Sequence, residues 1–395
     1  MEYRFATRTT KVKRSFLREI MKATDNPGLI SFAGGLPNPQ FFPVEALAAA
    51  STKVLTQDGP NVLQYSRTEG YLPLRQFISQ RYRKNYDLNI SPDEILITTG
   101  SQQALDLIGK VFLDRDDDVA IERPGYLGAI QTFSMYEPNL RPVPLRNDGV
   151  DVAALAETFE RYHPKLFYAV PNFQNPSGLS YSAATRQAVA ELLQAHGVMF
   201  VEDNPYGELR FVGEDLAPLW AKAEDHTLLL GSFSKIVSPG LRLGWICAKA
   251  EVMDRLVVAK QATDLHSSYL SQRVLFQYLS DNNLEEHIET IRLGYKQRRD
   301  LMIELIDEYF PPEISYTEPE GGMFLWLTLP EGMAAMELFN EAVQFNVAFV
   351  PGEAFYIDGG GRNTLRLNYS NADEEKIQQG IYRLGEAIKK MMVVN

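Results

Sequence analysis

Residues 231–245 read GSFSKIVSPGLRLGW, and Lys235 and Arg242 are the only charges among them. A lysine amine is protonated at neutral pH and becomes a nucleophile only when burial or nearby cations lower its pKa. A loop of small residues with an arginine close by supplies both influences. Ser232 and Lys235 also fit the S-x-x-K spacing of serine hydrolases that act on β-lactams, and an SDN triplet stands at 280–282. That motif needs the lysine one helical turn beyond the serine, whereas Ser238-Pro239-Gly240 breaks any helix three residues after Lys235. No K-T-G or K-S-G follows, and no export signal precedes it. We set this chemistry aside.

The second chemistry is a Schiff base between Lys235 and an aldehyde cofactor. Ser232 and Ser234 would donate hydrogen bonds to its phosphate, and Arg242 would add charge and a forked donor set. Pyridoxal phosphate (PLP) asks for this combination of amine and phosphate cradle; the alternative is a solvated loop lysine. The cofactor's remaining needs can be sought elsewhere. ILITTGSQQALDLIGKVF offers a strand, then Gly100-Ser101, then a helix with apolar residues at 104, 105, 108, 111 and 112. Such a turn aims backbone N–H groups at an anion, with the Ser101 hydroxyl and Gln102 amide alongside, unless it is a plain helix cap.

A protonated pyridine nitrogen wants a buried carboxylate. Asp203 ends the apolar run GVMFVED, and strand alternation sends Glu202 to the opposite face. The alternative for Asp203 is a loop cap. Tyr206, three residues on, and Asn175 of PNFQNPSG would hydrogen-bond the ring hydroxyl, although an Asn-Pro-Ser-Gly turn is also simple punctuation. Tyr126 of ERPGYLGA would stack on the ring face. Arg366, an arginine in the uncharged run TLRLNYS, would grip a substrate carboxylate through two parallel hydrogen bonds.

Successive strand ends must carry these residues. The strand candidates are EILITT (94–99), DVAIE (118–122), LRPVPL (140–145), KLFYAV (165–170), VMFVED (198–203), TLLLGSF (227–233) and RLGWICA (242–248). Most are separated by helix-length segments, which predicts an α/β fold with a mostly parallel seven-stranded sheet between helices. The last two strands lie too close for a crossover helix, so one should run antiparallel to its neighbour. Beyond residue 250 come three helices, the last stopped by Pro311 and Pro312. GGMFLWLTLP, a helix, TLRLNYS and a final helix then suggest a smaller α+β unit. The expected division is an N-terminal arm at 1–45 packing on the small unit, a large domain at 46–290 and a small domain at 291–395.

Composition narrows the partners. The net charge of −12 argues against nucleic acid as a main partner. No apolar stretch approaches the roughly 20 residues of a membrane span. The single cysteine, Cys247, suits a reducing cytoplasm. No metal site is expected.

Through SFAGGLPNP, LQYS, TTGSQQALDL, NPSG, DNPY, SFSKIVSPGLRLG, GGMFLW, VPGEAF and LRLNYS, the chain resembles the fold-type I, class I/II PLP-dependent aminotransferases. Within that family it looks most like the 2-aminoadipate and kynurenine aminotransferases and the bacterial lysine-biosynthesis group. The resemblance implies Lys235 as the Schiff-base lysine and Asp203 at the pyridine nitrogen. Asn175 and Tyr206 would sit at the ring oxygen, with Tyr126 over the ring and Ser101, Gln102, Ser232, Ser234 and Arg242 at the phosphate. It adds Tyr65 of LQYS, reaching the partner's phosphate in a homodimer with shared sites. Arg366 and Asn175 would hold the substrate α-carboxylate under a closing Gly34-Gly35 loop. By spacing, Ser15 and Arg18 match residues that read acidic side chains in the lysine-biosynthesis relatives; a solvated helix face is the alternative. Related transcription regulators carry a winged helix ahead of such a domain; with SFAGG already at residue 31, none is expected here. Other fold-type I activities (β-lyase, decarboxylase, racemase) and a non-catalytic amino-acid sensor share the cofactor motifs.

Overall fold

The strands Leu166–Ala169 and Thr227–Ser232 are buried along their whole length, because parallel strands covered by helices on both faces have no solvent side. In this computed structural model, which describes residues 3–11 and 28–394, they lie inside an eight-stranded sheet. Its order is Ile95–Thr98, Gly244–Cys247, Thr227–Ser232, Met199–Asp203, Leu166–Ala169, Asp118–Arg123, Asn139–Arg146 and Gly149–Val150. The five strands from Thr227–Ser232 to Asn139–Arg146 are mutually parallel. Gly244–Cys247 runs antiparallel to both its neighbours, as the short 227–248 connection requires.

The eighth strand corrects the expected seven. Gly149–Val150 returns after the turn at Asn147-Asp148 to pair antiparallel with Leu145 and Arg146. Two residues carry no alternation that a sequence pattern can register.

Period-two alternation sorts the sheet's side chains into two cores. Phe167, Ala169 and Phe200 join Leu155, Phe159, Val189 and Leu193 from the helices Val152–Tyr162 and Ala183–His196. Leu166, Tyr168 and Val201 point the other way, into the cluster that includes Ala104, Leu105 and Ile108 of the helix Ser101–Phe112. On that helix Val111 and Phe112 are only partly buried.

Past the sheet, the 26-residue helix Leu284–Tyr309 starts at an Asn283 cap and stops before Pro311. A second, wholly antiparallel sheet follows, ordered Ser315–Tyr316, Phe324–Thr328, Thr364–Asn368 and Val350–Pro351. Ile30–Ser31 pairs in parallel with Val347–Ala348, and Asn368 N–H donates to Phe32 O at 2.9 Å. That pairing brings the Ala33–Gly35 backbone beside Arg366. Ser15 and Arg18 lie outside the described residues. Among the described residues no helix is long and apolar enough to cross a membrane.

Candidate active site

The parallel strands Met199–Asp203 and Thr227–Ser232 end side by side, where α/β sheets open a crevice at their carboxyl edge. A cavity of about 420 Å³ lies there. Ser101, Gln102, Tyr126, Asn175, Asp203, Tyr206, Ser232, Ser234, Lys235, Arg242 and Arg366 all line it, together with Gly35. Eleven side chains chosen from separate motifs therefore converge on one space.

Lys235 follows the strand Thr227–Ser232 in a tight turn that does not become a helix, so the S-x-x-K geometry is absent. Its Nζ donates to Gly35 O at 3.1 Å and stands 5.9 Å from the Tyr206 ring. Burial first, then the charges of Arg366 and Arg242, bring its pKa down to about 8. A useful fraction of free amine therefore exists near neutrality.

Asp203 is 2% exposed and accepts from the Tyr168 hydroxyl at 2.9 Å through Oδ2. Its Oδ1 is buried and has no hydrogen-bond partner among the described residues. Burial raises its pKa to about 6 against the Tyr168 hydrogen bond. A buried carboxylate oxygen without a donor is costly, and a cationic N–H facing it from the cavity would relieve that cost. Glu202 points to the sheet's other side, accepting from Leu219 N at 3.0 Å and Trp220 N at 3.3 Å, with Arg186 3.7 Å away.

Arg366 is 1% exposed. Its Nη1 donates to Asn175 Oδ1 at 2.7 Å and its Nη2 to Ala33 O at 2.6 Å, while Nε has no partner among the described residues. The guanidinium lies over Phe324 at 4.4 Å, and burial lowers its pKa to about 10. Tyr126 is pushed up to about 12 by burial and the Asp203 charge, and Tyr206 is raised further, so both phenols are donors at neutral pH.

At the far end Gly100 adopts φ +75°, opening the helix Ser101–Phe112. A Cβ there would come within 2.7 Å of Arg242 Nη2, so glycine is what lets the guanidinium reach the helix start. Ser232 Oγ accepts from Ser234 N at 3.1 Å, holding the two serines together. Gln102 lines the cavity, but its amide nitrogen is engaged by Gly128 O and Thr132 Oγ1.

Among the described residues, two expected ones do not line this cavity. Gly34 lies one residue outside its wall. Tyr65 is 77% exposed and stands edge-on to His266 at 5.9 Å, away from its own chain's site. Three contributors escaped the sequence: Tyr168 behind Asp203, and the pair Glu122 and Gln174. Gln174 Nε2 donates to Pro124 O at 2.8 Å and to Glu122 at 3.2 Å, while its Oε1 accepts from Ser177. It thereby ties the loop of Tyr126 to the turn of Asn175. Gln174 stands inside the quoted PNFQNPSG, where only its neighbour drew attention.

A primary amine, an unsatisfied carboxylate, two phenols and an arginine-capped helix start suit PLP. The aminotransferase class I and II family profile matches residues 33–384. The chain is 42% identical to the 2-aminoadipate transaminase of Thermus thermophilus over 97% of its own length and 96% of that protein's. It is also 42% identical to aromatic-amino-acid aminotransferase 1 of Thermococcus litoralis, over 98% and 94% of the two chains. The crystal structure of the α-aminoadipate aminotransferase from Thermus thermophilus, complexed with N-(5'-phosphopyridoxyl)-L-leucine, superposes with a TM-score of 0.93. The match covers 99% of this chain and 98% of that one at 41% identity. Cavity and likeness agree: the chain belongs to the class I and II aminotransferases and is a PLP-dependent enzyme of that family.

Proposed function

We propose that the chain moves an amino group from an amino acid with an acidic, aromatic or branched side chain to a 2-oxo acid such as 2-oxoglutarate, in two ping-pong halves. The observation that carries the proposal is the unpartnered Asp203 Oδ1 in a cavity that also holds the Lys235 amine and Arg366. PLP, once bound, supplies an electron sink for the charge left when the substrate's α-proton departs.

The chain's residues do the rest. Asp203 keeps the ring nitrogen cationic, the largest electrostatic contribution. Asn175 and Tyr206 donate to the ring oxygen, and Tyr126 covers the ring face. Ser101, the Gln102 backbone N–H, Ser232, Ser234 and Arg242 receive the phosphate, the Gln102 side-chain amide nitrogen being already engaged. Lys235 anchors the cofactor and, once displaced by substrate, moves the proton at the substrate's α-carbon. Arg366, its Nε without a partner among the described residues and its Nη1 already aligned on Asn175, holds the α-carboxylate, and the Gly34-Gly35 loop closes over it.

The α-carboxylate grip is common to all amino acids, and likeness to both 2-aminoadipate and aromatic enzymes favours a broad range. Side-chain choice is assigned to Ser15 and Arg18. Lys235 and Asp203 would belong to a large domain at 46–290 and Arg366 to a small one at 291–395, behind an arm at 1–45. The exposed Tyr65 suits a homodimer in which it completes the partner's phosphate site. A cytoplasmic location belongs to the same proposal.

A panel of donors mixed with PLP-loaded protein in the absence of acceptor tests it. One equivalent of oxo acid per site, with amino group retained by the protein until an acceptor is added, is expected. Carbon dioxide, an eliminated fragment or racemised donor would instead identify another activity, and no reaction would identify a sensor.

A further inference from the structure

Lys260, on the helix Ala250–Asp264, is 0% exposed yet lies outside the cavity lining. Its Nζ donates to Gln103 Oε1 at 2.6 Å and Ser267 Oγ at 3.0 Å, and pairs with the Asp264 carboxylate at 2.7 Å. Three donors meet three acceptors, so the ammonium is fully used. Burial lowers its pKa and Asp264 opposes the shift. A buried ion pair is commonly no more stable than apolar packing of the same volume, so what this one holds in place matters more than its own energy.

It holds the turn that precedes the helix Ser101–Phe112. Gln103 Oε1 accepts from Thr99 N–H at 2.8 Å as well as from Lys260, and Gln103 Nε2 donates to Asp264 at 2.7 Å. The Thr99 hydroxyl meets Ser267 Oγ at 3.0 Å and Asp264 at 3.3 Å. On its other side the Thr99 carbonyl faces Arg242 Nη2 at 3.4 Å. Residue 99 is thus gripped from behind by the Lys260 cluster and from the cavity by Arg242. Gly100 follows at φ +75°, a conformation that glycine adopts freely and that the backbone alone does not fix. The cluster also runs on through the Ser267 carbonyl to His266 Nδ1 at 2.8 Å, whose ring backs Tyr65.

We propose that Lys260 is a positioning residue for cofactor phosphate: acting through Gln103 and Thr99, it fixes the Thr99–Ser101 turn in the form that, with Arg242, receives the phosphate. The proposal rests on the assignment of that turn as the phosphate cradle. Lys260 touches neither cofactor nor substrate; its effect is confined to the geometry of the N–H groups that do.

The cofactor-free protein, its Lys260→Met variant and its Gln103→Leu variant are each titrated with PLP and, separately, with pyridoxal, which lacks the phosphate. Both variants should lose roughly tenfold or more in affinity for PLP, the worth of one hydrogen bond to a charged group, and nothing for pyridoxal. The double variant should lose no more than the worse single one, because both cut the same link. Equal losses for the two aldehydes would mean general loosening and would overturn the proposal, as would PLP affinity at the wild-type level. Should Lys260→Met fail to fold, Gln103→Leu leaves the Lys260–Asp264 pair intact and carries the same comparison. Wild-type protein that binds both aldehydes equally would overturn the phosphate cradle itself, and is read separately from the variants.

Discussion

Glu202 and Asp203 are consecutive acids on one strand, both buried, and burial raises the pKa of each. They differ in what faces them. Glu202 has two backbone N–H donors and Arg186 on the back of the sheet, while Asp203, which lines the cavity, has one phenol and a second oxygen with no partner among the described residues. A buried charge with all its partners serves the fold. One left short of a partner is held ready for a ligand, and the fold bears the cost.

The cavity face should respond in turnover and the back face in stability. The largest effect is at Lys235: Lys235→Ala should abolish transamination in an assay of oxo-acid release, because among the described residues no other lysine lines the cavity to anchor the cofactor. Next, Asp203→Asn keeps an acceptor for Tyr168 but removes the charge, so turnover should fall on the order of a hundredfold or more. Its cofactor-free form should melt no lower than wild type at neutral pH. The sign follows from a carboxyl whose pKa rises from 3.8 to about 6: the destabilisation sets in as pH climbs through 3.8 and is complete above about 6. Glu202→Leu should do the reverse. It leaves two backbone N–H groups without their acceptor and removes the carboxylate 3.7 Å from the buried Arg186 guanidinium, which keeps its hydrogen bonds to Tyr181 O, Pro171 O and Asn172 Oδ1. Stability should therefore fall on the order of 3 kcal/mol in denaturant titrations while turnover per folded molecule holds. A turnover loss from Glu202→Leu matching that of Asp203→Asn would break the comparison.

A smaller effect sharpens the electrostatics of the cavity. Only neutral Lys235 attacks an aldehyde, so the rate at which cofactor-free protein captures PLP should rise with pH through about 8 and then level off. Removing a nearby cation lets the amine hold its proton longer, so Arg366→Met should move that midpoint upward. A stationary midpoint would leave burial and the Arg242 charge as the causes of the lowered pKa.

Much of this cavity was legible in the sequence because most of its residues stand at or just past a strand's carboxyl end, where a short motif follows an apolar run. Arg366, inside Thr364–Asn368, and Arg242, ahead of Gly244–Cys247, are exceptions. Lys235, Asp203 and Asn175 are local in that sense, and alternation alone separated Asp203 from Glu202. What escaped depends on register or on distant packing. Tyr168 reads as one apolar residue of LFYA; only its pairing beside Met199–Asp203 brings the hydroxyl to Asp203. Lys260 sits in AEVMDRLVVAKQATD like any solvated helix lysine, and its partners are Gln103, far away in the chain, and Ser267, just past the end of its own helix. The eighth strand was missed for brevity, although Asn-Asp-Gly at 147–149 is a hairpin signal. Ser15 and Arg18 stand outside the described residues, so the structure adds nothing to the sequence there.

Everything assigned to the cavity presumes that PLP is covalently held by one amine. Borohydride treatment of the loaded protein, followed by peptide mapping, tests this most directly. A stable pyridoxyl group on the peptide containing Lys235, and on no other, is the expected result. A reduced protein whose label is missing or sits on a different lysine would contradict the account.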